Sequence, residues 1–213
     1  ILGLAGLKGW DYWKDRTLKQ HALASAEYEA ILPLIDKASV SELESQLDAF
    51  ATRNDANVYY DFLQFKLAKK AVAENNFDAA ASALNHVVKK AANEVVENIA
   101  RIRLARIYIT QNKPQQALDL LNKETDAFKY LFSDIRGDAL LALGQNEKAR
   151  QAYLIAQENF KGNGQDKELQ MKIDDLTVSR VMEDKEKSSS RTEKSTEDKQ
   201  QTPLETETEV EKG

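Results

Sequence analysis

The chain has 213 residues, of which 42% are hydrophobic and 31% charged, with a formal net charge of −5 and no cysteine. Without Cys there is no disulfide framework, no thiolate zinc site and no Cys nucleophile, and without a basic stripe there is no footprint for phosphate neutralisation, so nucleic acid is set aside. Only 8 Gly and 3 Pro occur, none of them between residues 34 and 113, which favours long helices over strands.

The first ten residues, Ile1 to Trp10, are apolar and Gly-rich in a chain that otherwise uses little Gly. The stretch is shorter than the ~20 apolar residues that cross a bilayer. Because the chain opens on Ile rather than Met, residues 1–13 are expected to be the end of a truncated transmembrane anchor. Trp10, Tyr12 and Trp13 fit a membrane interface, where an aromatic ring sits in the apolar layer and its polar tip stays wet. The alternative is a soluble helix whose Trp residues pack on the first hairpin. Lys8, Lys14, Arg16 and Lys19 on the visible flank lean towards a cytoplasmic body, but the comparison that would fix orientation needs the other flank as well.

Residues 14–178 are expected to form an all-α repeat domain. Its first pair of helices spans Ser25 to Ile35 and Ser41 to Thr52, the second with Ser41 as N-cap, Glu44 at the capping-box position and Leu43, Leu47 and Phe50 on one face. A hairpin signature then recurs three times, in Asn75-Asn76-Phe77-Asp78-Ala79-Ala80, Asn112-Lys113-Pro114-Gln115-Gln116-Ala117 and Gly144-Gln145-Asn146-Glu147-Lys148-Ala149. The spacings 117 − 80 = 37 and 149 − 117 = 32 straddle the roughly 34-residue period of tetratricopeptide repeats. Pro114 marks a helix start, since its missing N–H would lack an intrahelical partner there. After Gly162 and Gly164, Leu169, Ile173 and Leu176 are spaced to cover the last hairpin as a terminal helix.

From Glu183 onwards charges alternate with Ser, Thr and Gln, and residues 181–213 carry 10 Asp and Glu against 6 Lys and Arg, which is −4 of the total charge. Such composition buries too little apolar surface to offset its ordering entropy, so 179–213 is expected to be a disordered charged tail or a segment that orders on a partner.

First helices of successive tetratricopeptide hairpins line a concave groove that holds a peptide or partner helix. Projected onto this chain, the partner-binding groove falls on Phe62, Phe65, Lys69, Ile102, Arg106, Leu131, Asp134 and Asp138. Phe62 and Phe65 are the candidate apolar anchors, and Lys69 and Arg106 the candidate carboxylate holders. Catalysis has little support. His21 and His86 are the only histidines, and neither a Gly-rich phosphate loop nor a nucleophile set occurs, so the expectation is no enzyme, no cofactor, no metal and no small-molecule substrate.

Four blocks carry a resemblance that covers residues 1–178. They are Gly9-Trp10-Asp11-Tyr12-Trp13, Asn98-Ile99-Ala100-Arg101-Ile102-Arg103-Leu104-Ala105-Arg106, Asp134-Ile135-Arg136-Gly137-Asp138-Ala139-Leu140-Leu141 and Leu169-Gln170-Met171-Lys172-Ile173-Asp174-Asp175-Leu176. In this order they resemble the YfgM-like family, the ancillary subunit of the bacterial SecYEG translocon. The resemblance implies a single-pass inner-membrane protein with a periplasmic tetratricopeptide-like α-solenoid. It also implies partnership with the Sec translocon and a PpiD-like periplasmic chaperone, assisting exported proteins as they leave the channel. Lys8 interrupts the apolar run, and the tail after Arg180 extends beyond the family's usual end. Two other readings stay open: a soluble cytoplasmic adaptor that uses the same groove, and a regulator that sequesters a signalling protein through the tail.

Overall fold

The computed structural model describes residues 2–54, 57–123, 125–162 and 166–178. Helix α1 runs Leu2–Ile31, a 3-10 turn occupies Leu32–Leu34, and α2 runs Val40–Arg53. Three hairpins follow: α3 (Val58–Ala73) with α4 (Phe77–Lys90), α5 (Glu94–Thr110) with α6 (Pro114–Leu120), and α7 (Lys129–Ala142) with α8 (Asn146–Glu158). A last helix, α9, spans 167–178. There is no strand among the described residues. The fold is the expected all-α solenoid, while the expected tail at 179–213 and Gly164 lie outside the described residues.

The repeat signature is enforced by backbone geometry. Each first helix ends on a residue in the left-handed region, Asn75 (φ 57°), Asn112 (φ 58°) and Gly144 (φ 70°), the three residue types that tolerate it best being Gly, Asn and Asp. At each turn the same two hydrogen bonds close the helix end. Asn76 N–H donates to Ala71 C=O at 2.7 Å and Asn75 N–H to Val72 C=O at 3.0 Å. Lys113 repeats this with Tyr108 at 2.7 Å and Asn112 with Ile109 at 2.9 Å, as do Gln145 with Leu140 and Gly144 with Leu141, both at 2.9 Å. This six-to-one and five-to-two pairing satisfies carbonyls that a helix end leaves orphaned. Five residues after each left-handed position, Ala80, Ala117 and Ala149 are all 0% exposed, so a methyl group is all the space between paired helices admits.

Starts are specified as locally as ends. Asn57 Oδ1 accepts from Tyr59 and Tyr60 N–H, Asn76 Oδ1 from Ala79 N–H and Asn93 Oδ1 from Val96 N–H, at 3.0, 3.1, 3.1 and 3.0 Å respectively. Pro114 opens α6, as its sequence position predicts, but α6 has only 7 residues, and the buried Leu121 follows it in the turn.

Two expectations for the N-terminal region are corrected. The helix expected from Ser25 is the end of a continuous 30-residue α1. The N-cap of α2 is Ser39, not Ser41: its Oγ accepts from Glu42 N–H at 3.3 Å and Glu42 Oε2 accepts from Ser39 N–H at 2.8 Å. With this cap the residue before it is Ala38 and the fourth helical residue is Leu43, both in the core around α2, whereas a cap at Ser41 would set Val40 against the polar Ser45. Among the described residues, no helix is long and apolar enough to cross a membrane.

The core is a series of linked layers rather than one centre, as expected where each hairpin touches its neighbours. The first layer joins Ala24 and Ile31 of α1, Leu43, Leu47 and Phe50 of α2, and the buried faces of α3 and α4. Phe132, Ile135 and Ala139 of α7 meet Ile102, Ala105 and Ala117 in the next, and Leu169, Ile173 and Leu176 of α9 cover Ala149, Ala152, Tyr153 and Ala156 in the last.

Asp166 sets the start of α9. Its Oδ1 accepts from Glu168 N–H at 3.1 Å and Leu169 N–H at 3.2 Å, while its Oδ2 accepts from the Tyr130 hydroxyl. The Tyr130 hydrogen bond, followed by the Leu169 amide, holds the Asp166 carboxyl below the usual carboxylate range. A folded-state value below the unfolded one adds stability that is present above the unfolded pKa and is lost as pH falls through the folded one. Asp166→Ala is therefore expected to cost about 1 kcal/mol at neutral pH, the usual loss for a cap. The share of that difference that depends on the carboxylate's charge should fade as pH falls through the lowered folded pKa of Asp166. Urea titrations of both proteins at pH 7 and in acid would check it.

Candidate functional site: a basic apolar cleft between first helices

The first helices α3 and α5 lie side by side, and between them opens a cleft of about 500 Å³. Apolar side chains form its floor, among them Phe65, Ala68 and Val72 of α3 and Ile107 of α5. Lys66 and Lys69 line it from one helix, Arg103 and Arg106 from the other. The Arg103 guanidinium carbon stands 4.7 Å from the Phe65 ring centroid, over its face, which couples floor to rim by a cation–π contact. All four cations are exposed.

Of the eight residues projected onto the groove, Phe65, Lys69 and Arg106 come together in this cleft. Phe62 stands one turn earlier on the same face of α3 and is 42% exposed. Ile102 is instead 5% exposed and packs with Phe132 and Ile135, so it belongs to the core between the second and third hairpins. It sits one residue before Arg103, and that 100° step around the helix turns it inward. Leu131 is half-buried against the same layer.

Asp134 and Asp138 are engaged within the chain. Lys172 Nζ of α9 donates to Asp134 Oδ1 and Asp138 Oδ1, each at 2.8 Å, and lies 5.2 Å from the Tyr153 ring centroid. Tyr153 completes the cluster by donating its hydroxyl to Asp138 at 2.8 Å. Burial pushes the Asp134 carboxyl above the usual aspartate range in spite of Lys172. Burial also works against the Lys172 ammonium, yet its hydrogen bonds to Asp134 and Asp138 hold it above the ordinary lysine value. Tyr153 is raised by burial first and by Asp138 next. These residues fix the terminal helix to the last hairpin.

On α1, Trp10 (62% exposed), Tyr12 (70%) and Trp13 (58%) lie uncovered, with the two indole rings 5.5 Å apart. From residue 10 to 23 α1 is almost wholly exposed where its side chains are described, and the body takes hold at Ala24.

Lys66 and Arg103 were absent from the projected site. The signal for them is in the repeat itself: the 37-residue offset that relates Ala80 to Ala117 also relates Lys66 to Arg103 and Lys69 to Arg106. Read as pairs, these positions give each of two first helices a cation at i and i+3. Among the described residues no group of His, Asp and Glu is arranged to hold a metal ion.

The tetratricopeptide repeat-like domain family matches residues 1–178 of the chain. Among curated relatives, the ancillary SecYEG translocon subunit of Haemophilus influenzae is 28% identical over 160 residues, 75% of this chain and 78% of the relative. That of Escherichia coli strain K12 is 26% identical over 179 residues, 84% and 86% of the two chains. The protein of the same name from Buchnera aphidicola subsp. Schizaphis graminum is 30% identical over 164 residues, 76% and 82%. No solved structure matches.

Proposed function

The chain belongs to the tetratricopeptide repeat-like family of ancillary SecYEG translocon subunits, and on that premise we propose that it is a non-catalytic scaffold of the Sec translocon, anchored in the inner membrane with its repeat domain in the periplasm. There it binds a PpiD-like periplasmic chaperone and assists exported proteins as they leave the channel. Residues 1–13 are the end of a single-pass anchor, 14–178 the repeat domain and 179–213 a charged tail.

The observation that carries this reading is the cleft between α3 and α5, an apolar, cation-lined surface presented by first helices, which suits holding a segment of another protein. Support for the anchor comes from α1: its exposed Trp10, Tyr12 and Trp13 have amphipathic rings suited to a bilayer interface, and the helix extends clear of the repeats before Ala24. Tethering confines the domain to the membrane surface and raises its effective concentration near channel and chaperone, so weak binding in the cleft suffices.

Replacing Phe62 and Phe65 together with Ala tests the binding face. Neither ring is fully buried, so the fold is expected to survive, with co-purification of chaperone and translocon reduced about tenfold or more, the loss of ~1.4 kcal/mol or more expected of interface aromatics. Unchanged co-purification from a folded double variant would remove the face from the account.

A further inference from the structure

We propose that the α3–α5 cleft selects an acidic segment of a partner protein that carries apolar side chains, with carboxylates meeting Lys66, Lys69, Arg103 and Arg106 while the apolar groups enter over Phe65 and Val72. This deepens the scaffold reading and rests on it. Four features carry it.

First, the charge is concentrated against the trend of the molecule: 35 acidic residues outnumber 30 basic ones in the chain, yet the cleft lining contains four cations and no carboxylate. Second, none of the four makes an ion pair within 4.0 Å among the described residues, whereas Lys70, next to Lys69 in sequence, pairs with Glu74 at 3.1 Å. Arg106 acts at longer range on Asp134, which bonds directly to Lys172, and Asp36 and Glu74 line the neighbouring depression with Lys66 and Lys69 without pairing with either.

Third, Lys66 with Lys69 and Arg103 with Arg106 are like-charged pairs at i, i+3, a spacing that disfavours each helix on its own. An anion placed between the two helices relieves both pairs together. Fourth, Arg103 is held over the Phe65 ring, which fixes a planar guanidinium beside the apolar floor and suits it to a carboxylate on a side chain entering there. A concave apolar floor answers protein side chains better than a lipid headgroup, which would bring only the anion.

The test uses the full chain and labelled synthetic 16-residue helical peptides: one with Leu on one face and Glu on the other, one with Lys replacing every Glu, and one with Ser replacing every Leu. Fluorescence anisotropy is expected to show binding of the Glu/Leu peptide alone, weakening as salt rises. Lys69→Glu with Arg106→Glu should lower its affinity at least tenfold and favour the Lys/Leu peptide instead. Equal affinity of wild type and charge-reversed protein for the Glu/Leu peptide overturns the proposal. So does charge-dependent binding to phosphatidylglycerol vesicles with no peptide binding, which makes the surface a membrane contact. Peptide binding that emerges only when residues 179–213 are removed also overturns it, by making the chain's own acidic tail the occupant. Co-purification with the translocon, measured on the same proteins, separates the two levels. A charge-reversed protein that keeps its translocon and chaperone partners loses the cleft assignment alone, and a wild type that never co-purifies loses the scaffold reading.

Discussion

Gly137→Val is expected to destabilise the domain by about 3 kcal/mol or more, at the upper end of what overpacking costs. A Cβ at Gly137 would lie 2.2 Å from Tyr153 Cε1, 2.4 Å from Cδ1 and 2.8 Å from Cζ. The ring cannot step aside, being fully buried, covered by α9 and tied through its hydroxyl to Asp138. The gain in helix propensity on replacing a mid-helix Gly, up to about 1 kcal/mol, is too small to offset the clash. Gly144 provides the contrast. A Cβ there meets nothing within 4 Å, but φ is +70°, so Gly144→Ala should cost only the left-handed penalty of roughly 1–2 kcal/mol. Urea unfolding midpoints at constant m-value would rank the two. A second-site Tyr153→Leu change in the Gly137→Val background should recover part of the loss, since residues in contact couple.

Lys172→Met is the second large effect, expected to cost roughly 2–3 kcal/mol at neutral pH, below the ~3–5 kcal/mol of breaking a fully buried pair because the Lys172 and Asp138 side chains are 23% and 31% exposed. Met can still lie along Tyr153, so the loss isolates the charge. Without the ammonium, Asp134 and Asp138 lose their direct cationic partner, and Asp134 is already pushed up by burial. A carboxyl whose folded pKa exceeds its unfolded value makes the folded state bind more protons, so stability rises as pH falls through that folded pKa. The deficit of the variant is therefore expected to shrink as pH falls through the raised folded pKa of Asp134. In the parent the Lys172 contribution is fully present below the unfolded lysine value of 10.5 and is lost as pH rises through the higher folded one. Urea titrations across both transitions, with hydrogen exchange at residues 167–178 to locate the loss on α9, would check both signs.

What was legible in the sequence had a local physical cause. Asn75, Asn112 and Gly144 could be placed because a left-handed helix end needs such residues at a fixed offset from a small buried Ala. Leu169, Ile173 and Leu176 were legible because three apolar residues on one helical face have to be covered. The register of α2 was not. Ser39 with Glu42 and Ser41 with Glu44 are equally good capping boxes, and only the packing of Ala38 and Leu43 chooses between them. Nor was the length of α1, since no Pro interrupts it before Pro33 and nothing local marks where a projecting helix becomes a packed one.

The candidate site was half legible for the same reason. Lys69 and Arg106 are related by the repeat offset, but the same offset carries Phe65 of the cleft to Ile102 of the core, because whether a first-helix residue faces groove or core depends on how far its helix is rotated, which one sequence does not give. Ile102 and Arg103 differ by a single step and end in the core and on the cleft rim. Asp134 and Asp138 occupy projected groove positions, yet a lysine 38 and 34 residues away claims both.

Protease protection of the full-length protein in spheroplasts, with crosslinking and mass spectrometry on the accessible population, tests the central claim most directly. The account predicts that protease added from outside digests the repeat domain and that peptides of the translocon or a periplasmic chaperone crosslink to the face bearing Phe62, Lys69 and Arg106. Full protection, released only by lysis, would contradict it, placing the domain on the cytoplasmic side and leaving the same cleft to a cytoplasmic adaptor.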